Sequence, residues 1–122
     1  MLPSGPPSEA VMPQPTESVV NSASAAWTAA RIPGISVKVL RRDENGRSSS
    51  LVRFDPGARF PAHDHPAGEE VFVLEGEVQI GRHHLKAGDL YAPPGVKHAA
   101  SSAGGCVFLV SLPKPVVILE TR

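Results

Sequence analysis

Turn signals recur along this chain at short intervals, and they restrict its fold more than any other feature. Asn45-Gly46, Asp55-Pro56-Gly57, Pro66-Ala67-Gly68, Ala87-Gly88-Asp89 and Gly104-Gly105 each interrupt short runs rich in β-branched and aromatic residues. Gly and Asn tolerate the positive φ of tight turns, and Pro presets φ. Strand-length runs separated in this way are typical of an all-β sandwich or barrel. Thirteen prolines and eleven glycines also argue against a helical bundle.

The chain divides into a tail and a body. Residues 1–25 are rich in Pro, Ser, Ala and Glu and have few large apolar side chains. Such a segment buries too little apolar surface to offset the entropy lost on ordering, so we predict a disordered tail. Residues 26–122 are predicted to form a single domain, a size that one hydrophobic core can serve. Trp27 is expected to lie across the edge of that core.

Composition argues against several classes of function. Twelve basic and twelve acidic residues cancel, so no excess of positive charge favours nucleic acid. No apolar run reaches the ~18 residues of a membrane span, and the first twenty residues lack the basic and apolar regions of a signal peptide. Cys106 is the only cysteine and has no partner for a disulfide. We therefore expect a cytoplasmic protein with no nucleic acid or membrane partner.

The strongest chemical signal is the run HDHPAGEEVFVLEG at residues 63–76, followed downstream by His98. His63 and His65 are two residues apart, so on a strand they point to the same side. Glu69 follows a Pro-Ala-Gly turn, which is expected to fold it back beside the histidines at the start of the adjacent strand. His98 follows a Pro-Pro-Gly turn, and the intervening chain allows two strands to return to the same mouth of a barrel. Imidazoles and a carboxylate that converge in this way predict a divalent transition-metal site.

The metal itself is left open by this ligand set. Three imidazoles and one carboxylate suit zinc, iron, manganese, nickel or copper. Such a set either closes around zinc or leaves positions on an octahedral ion free for a substrate.

The spacing of these residues resembles the two motifs of the cupin family. The first motif is Gly, five residues, His-x-His, three or four residues, Glu, six residues and Gly, and it is matched by Gly57, His63, His65, Glu69 and Gly76. The second is met by Gly88, Pro93, Gly95 and His98. Its Gly-to-Pro spacing is one residue short, and Ser102 stands where the family often has Asn.

The cupin resemblance implies a double-stranded β-helix, or jelly-roll barrel, with one metal ion per chain. The ligands it implies are His63, His65, Glu69 and His98. Glu70 is an alternative to Glu69, but the two side chains leave opposite faces of a strand, and the six-residue gap to Gly76 in the motif selects Glu69.

A narrower resemblance is to the cupin-like domain of ChrR-type zinc-binding anti-sigma factors. The similar segments are GISVKVLRRD, LVRFDPGARFPAHDHPAGEEVFVLEGEV, APPGVKHA and GGCVFLV. In those proteins the cupin follows a helical domain that holds the sigma factor. We expect no such domain here, so anti-sigma activity is not carried over. Related stand-alone cupins include dioxygenases that cleave carbon–carbon bonds of small ketones and diketones.

The resemblance leaves three functions open, because a fold of this kind does not by itself decide function. The first is a metal-dependent dioxygenase acting on a ketone-like or diketone-like small molecule. The second is a non-catalytic zinc-binding sensor or ligand-binding module, and the third is a metal-dependent isomerase or cyclase. No dedicated general base is visible, so the catalytic residues are unassigned, with Glu69 as a candidate proton acceptor.

The alternation of side chains along residues 69–76 predicts both a pocket and a covered surface. If Glu69 points inward, Val71 and Val73 do too, and with Phe60 and Tyr91 they are the candidates for pocket lining. Phe72 and Leu74 then point outward, where exposure costs about 1.5–3 kcal/mol each. Either the segment around Trp27 or a second subunit must cover them, and we favour a homodimer.

The remaining polar candidates are interpreted as structural. His83 and His84 are assigned to a solvated turn, Asp89 to a turn, and Cys106 to core packing, since a reactive thiolate needs cationic neighbours and solvent access. Arg53 and Arg59 are interpreted as surface charges rather than anchors for an anionic substrate.

Overall fold

The computed structural model describes residues 17–95, 97–115 and 117–118, and these residues form ten β-strands and one short 3₁₀ turn, Ser22–Ser24. No α-helix occurs in this described part, and no helix there has the length and apolar character to span a membrane. The strands in chain order are β1 Thr28–Ala29, β2 Ile35–Arg42, β3 Ser48–Phe54, β4 Arg59–Asp64, β5 Glu70–Ile80, β6 His83–Lys86, β7 Leu90–Tyr91, β8 Lys97–Ser101, β9 Cys106–Leu112 and β10 Val117–Ile118.

The strands form one antiparallel sheet that curls on itself, with the order β1-β2-β3-β9-β5-β8-β4-β10. Strand β5 joins its two halves. Residues 70–76 pair with β9, whereas residues 77–80 pair with β6 and the end of β8. A register shift between Val73 and Glu75 marks the bend. The prediction of an all-β jelly-roll barrel is confirmed.

The core fills the space between the two halves of the curled sheet. Val71, Val73 and Val78 on β5 are completely buried. Phe54 and Phe108 pack on one another at 5.8 Å between ring centroids. These side chains alternate with exposed neighbours, as the period of two along a strand requires.

Phe72 and Leu74 point away from this core, and they remain 39% and 45% exposed. Trp27 does not cover them. Its ring lies under the cationic groups of Lys38 and Arg53, 4.9 and 4.4 Å from the ring centroid, on the outer side of β2 and β3. The expectation that Trp27 crosses the edge of the core is therefore replaced by a cation–π contact on the outer surface.

The segment that precedes β1 is held against the sheet by a hydrogen bond. The ammonium group of Lys38 donates a hydrogen bond to the carbonyl oxygen of Ser22 at 2.6 Å. Most of the predicted tail, residues 1–16, lies outside the described residues.

Two expectations about strand neighbours are wrong. The strand that follows Glu69 is not adjacent to β4, because β8 lies between β4 and β5. His83 and His84 are not in a turn, since the turn closes earlier at Gly81 and β6 begins at His83, which pairs with Ile80. A strand pairing depends on contacts distant in sequence, so local turn signals do not determine it.

Candidate metal centre

Three buried histidines converge at one end of the barrel. His63 lies on β4 directly opposite His98 on β8, and His65 follows the last residue of β4. The ring centroid of His63 is 4.6 Å from that of His65 and 4.7 Å from that of His98. One ring nitrogen from each histidine lies within 4.8 Å of the other two. These three side chains can therefore hold one metal ion.

Two glycine turns interlock and bring the motifs together. A Cβ atom added to Gly95 would lie 2.7 Å from the carbonyl oxygen of Pro66, and one added to Gly68 would lie 2.9 Å from that of Pro93. Both distances are too short for any side chain, so each turn needs glycine where it crosses the other. This close approach places the segment that carries His65 against the segment that leads to His98.

Glu69 lies beside two of these histidines. The turn that precedes it is closed by a hydrogen bond from the amide of Gly68 to the carbonyl oxygen of His65, 2.8 Å long. The two carboxylate oxygens then lie 3.3 Å from Nε2 of His65 and 3.0 Å from Nε2 of His98. Glu70 is exposed on the other side of the chain.

The hydrogen bonds of this cluster are incomplete in a way that suits a cation. Both ring nitrogens of His65, Nδ1 of His98 and Oε2 of Glu69 are buried without a hydrogen-bond partner among the described residues. Oε2 of Glu69 is near His98, but the contact lacks hydrogen-bond geometry. Leaving buried polar atoms unpaired costs about 1–3 kcal/mol each. A divalent ion coordinated by nitrogen and oxygen would satisfy the inward-facing atoms, so the residues present fit a transition metal.

His63 is already oriented for coordination. Its Nδ1 lies 2.8 Å from the carbonyl oxygen of Pro61, which can only accept a hydrogen bond. Nδ1 therefore carries the proton and Nε2 presents a lone pair, the outer-shell arrangement typical of metal-binding histidines.

Burial shifts the pKa values of the cluster towards neutral side chains. Desolvation lowers the pKa of His63, and it lowers the pKa of His65 and His98 to about 4, with neighbouring histidines adding to the effect. Desolvation also raises the pKa of Glu69 to about 7. The imidazoles are therefore unprotonated near neutral pH, as ligands must be, while Glu69 can gain or lose a proton there.

The histidine cluster opens into a cavity of about 220 Å³ with mostly apolar walls. The walls come from β2, β3, β4, β5, β8 and β9 and include Val37, Val39, Val52, Phe54, Phe60, Val71, Ile80, Ala100, Phe108, Val110 and Leu112. Apolar walls with a few convergent polar groups are typical of a small-molecule site.

Of the four pocket candidates, two line the cavity and two do not. Phe60 and Val71 line the cavity, and the ring of Phe60 packs edge-on to His63 at 4.6 Å. Val73 is completely buried in the core. Tyr91 lines a shallower groove, where its ring lies 6.1 Å from His98 and 5.0 Å from His83.

The residues interpreted as structural are placed away from the cavity. Cys106 is buried, and desolvation raises the pKa of its thiol, which opposes reactivity. Asp89 accepts a hydrogen bond from the amide of Lys86 within its turn, at 2.8 Å. His84 contacts Glu77 at 2.9 Å on the surface. Arg53 stacks on Trp27, and Arg59 is exposed on β4.

Three polar residues of the cavity wall, Arg42, Ser48 and Ser50, are missing from the sequence-based candidates. Alternation from Val37 and Val39 would bring position 41 inward, so the sequence gives no signal for Arg42. Only the register shift between Val39 and Arg41 in the pairing of β2 with β3 reverses that alternation.

Comparison with known proteins identifies a family. The model of the family described as ChrR Cupin-like domain matches residues 15–114. A curated relative, germin-like protein subfamily 2 member 1 of Arabidopsis thaliana, is 39% identical over 70 aligned positions, and the match covers 48% of this chain and 32% of that protein. The chain thus spans about a third of that relative's length.

Solved structures with low sequence identity share the fold. Acetylacetone dioxygenase from Acinetobacter johnsonii superposes with a TM-score of 0.74 at 13% identity, covering 89% of this chain and 80% of that one. The structure of Rhodobacter sphaeroides SigE in complex with the anti-sigma ChrR matches with a TM-score of 0.65 at 20% identity, covering 73% of this chain and 50% of that one. The resemblance to ChrR-type cupins is confirmed.

Proposed function

The chain belongs to the ChrR cupin-like domain family, and we propose that it is a metal-dependent dioxygenase acting on a small ketone-like or diketone-like substrate. One divalent transition ion is held by His63, His65, Glu69 and His98. The observation that carries the proposal is a cluster of buried, incompletely hydrogen-bonded ligand atoms that opens into an apolar cavity. A site meant only to hold zinc has no need of such a cavity. The shared fold with an acetylacetone dioxygenase supports the substrate class.

The protein's own contribution is to hold neutral ligands, exclude water and accept a proton. A bound ion polarises chelated oxygen atoms as a Lewis acid and, if it is iron, supplies oxygen activation. The carbonyl of Pro61 fixes the tautomer of His63. The walls formed by Phe60 and Val71 keep bulk water from the reacting group. Glu69, the acidic side chain among the described residues of the wall, is the candidate to accept a proton from the acidic carbon between two carbonyl groups.

Oxygen uptake separates this proposal from its alternatives. Protein loaded with ferrous iron is expected to consume dioxygen with acetylacetone and related diketones, and His65→Ala is expected to abolish this. His84→Ala is the matched control, because that imidazole lies on the surface against Glu77. Substrate conversion without oxygen uptake would replace the proposal with an isomerase or cyclase. Absence of turnover with every divalent metal would contradict an enzyme.

A zinc-binding sensor is the second candidate, favoured by the family itself, since ChrR is named as an anti-sigma protein in the structural match. A sensor predicts zinc in the purified protein and no diketone turnover. It also predicts that peroxide changes the zinc content or the conformation, measured by elemental analysis and circular dichroism. If peroxide changes neither property, the sensor is contradicted.

We also propose that two copies pair through the outer face of the sheet. Register places Phe72 between Leu109 and Leu90, and Leu51 lies beyond Leu109 in the same row. Leu90 is 61% exposed. A second copy would cover this apolar row, as exposed patches of this kind usually require. Light scattering is expected to give a dimer mass for the wild type and a monomer mass for Phe72→Asp; a monomeric wild type would contradict the pairing.

We further propose that residues 26–122 fold as one unit and act in the cytoplasm. Strands β1 to β10 join a single hydrogen-bonded sheet, and the buried, unpaired thiol of Cys106 suits a reducing compartment. A chain of residues 26–122 is expected to melt in one cooperative transition, somewhat below the temperature of the full chain because it lacks the Ser22 carbonyl that Lys38 contacts. Recovery of the native protein from an oxidising compartment would contradict the location.

A further inference from the structure

Arg42 reaches the cavity because of an irregularity in β2. Val39 pairs with Ser50, but the next pairs are Arg41 with Ser49 and Arg42 with Ser48, so Leu40 is an extra residue. A bulge of this kind reverses the alternation of side chains and often re-aims one beside a functional site. Arg42 consequently lines the cavity together with Ser48 and Ser50, while Arg41 is left on the outer side.

The charge at this position has no counterpart among the residues that the structure describes. Of the described residues that line the cavity, Arg42 is the only lysine or arginine. Within residues 17–95, 97–115 and 117–118, no carboxylate lies within 4.0 Å of its guanidinium group. Glu69, the one acidic side chain in the wall, is buried against His65 and His98. The cavity thus combines a metal-ligating cluster, an apolar chamber and a cation available to a ligand.

We propose that Arg42 binds the carboxylate of a small oxo-acid whose oxygen-bearing opposite end faces the histidine cluster. This inference rests on the proposed function only for the oxygen-bearing group of the ligand that faces the histidines. The guanidinium fork matches a carboxylate, and the hydroxyl groups of Ser48 and Ser50 supply further donors along the same wall. The whole cavity measures about 220 Å³, below the ~300–1,000 Å³ of pockets for drug-sized ligands, so only a short aliphatic chain fits between the two groups.

A matched pair of ligands tests this proposal without turnover. The probes are 5,7-dioxooctanoate, its neutral amide, and homologues with one methylene more or fewer between the diketone and the carboxyl group. Binding to zinc-loaded full chain is measured by calorimetry. The wild type is expected to prefer the best acid over its amide by about tenfold, a size typical of one charge-assisted hydrogen-bonding pair. The preference should shrink at high salt, because Arg42 is exposed at the mouth.

Variants of the two adjacent arginines assign the effect. Arg42→Met is expected to remove the preference and keep the affinity for the amide, which also shows that the variant is folded. Arg42→Lys should restore part of the preference, and Arg41→Met, on the outer face, should retain all of it. Equal binding of acid and amide by the wild type, or a preference that survives Arg42→Met, overturns the role of Arg42 and leaves the proposed function standing. If neither acid nor amide binds, the proposed function fails and this inference fails with it.

Discussion

The cavity wall carries polar side chains in two places, which we call the histidine end and the Arg42 end, and the two are built on different principles. At the histidine end, residues from β4, β8 and the loop before β5 converge through two turns. The glycine of each turn packs against a proline carbonyl of the other, and all four candidate ligands are buried. At the Arg42 end, the wall is regular sheet interrupted by one bulge, and the cation is exposed. The comparison shows that the candidate ligands are positioned by contacts between two turns, whereas the position of Arg42 depends on the register of a single strand.

Removing a ligand at the histidine end should have the largest effect. His98→Ala is expected to weaken zinc binding by more than about a hundredfold, beyond the loss that follows removal of an outer-shell partner. Phe108→Leu, in the apolar part of the cavity wall, should leave zinc affinity unchanged. Competition with a chromogenic chelator measures both. If both variants bind zinc like the wild type, the two ends do not differ as described.

The glycine contact should be the next most sensitive feature. Gly95→Ala places a Cβ atom 2.7 Å from the carbonyl oxygen of Pro66, and the turns must separate to accept it. We expect the free energy of unfolding to fall by about 1–3 kcal/mol, which is the usual cost of overpacking a well-packed site. We also expect weaker zinc binding. Gly57→Ala is a useful contrast, since only backbone strain applies where nothing lies within 4 Å. Equal effects on zinc binding would contradict the interlocking of the turns.

Proton release on metal binding tests the protonation states of the ligands at the histidine end without changing the fold. At pH 6 the histidines with a pKa of about 4 are neutral, whereas Glu69, with a pKa of about 7, carries a proton. Zinc binding is therefore expected to release about one proton, which makes affinity rise by about 1.4 kcal/mol per pH unit below pH 7. Calorimetry in buffers of different ionisation enthalpy measures this release. Glu69→Gln should abolish it, and release of two or more protons would mean that the histidines keep ordinary pKa values.

A substitution in the apolar wall of the cavity should have the smallest effect. Phe108 packs on Phe54 in the apolar chamber, so Phe108→Leu removes ring contacts and enlarges the space. We expect a loss of about 1 kcal/mol in stability by chemical denaturation, and tolerance of a bulkier aliphatic chain in the ligand. A change in metal stoichiometry in this variant would contradict the separation of the two ends.

The histidine end could be predicted from the sequence, whereas the Arg42 end could not. The turn signals and the spacing of His63, His65 and His98 are local patterns, and the structure brings these histidines together. Alternation along β5 also places Val71 inside and Phe72 outside, as expected. Local patterns work here because a short strand has a fixed period.

The position of Arg42 and the order of the strands depend on pairing between segments that are distant in the sequence. The bulge at Leu40 exists only in relation to β3, and the position of β8 between β4 and β5 exists only in the whole sheet. Neither Arg42 nor the strand character of His83 could be obtained from local turn chemistry. A single-residue change of register reverses every side chain beyond it, so small errors of pairing have large consequences.

The most direct test of the metal centre is anomalous diffraction from crystals of the full chain grown with zinc, recorded above and below the zinc edge. One peak per chain is expected between the imidazoles of His63, His65 and His98, about 2.0–2.1 Å from a nitrogen of each ring, and no such peak in His65→Ala. A peak elsewhere on the surface, or no peak at equimolar zinc, would contradict the account.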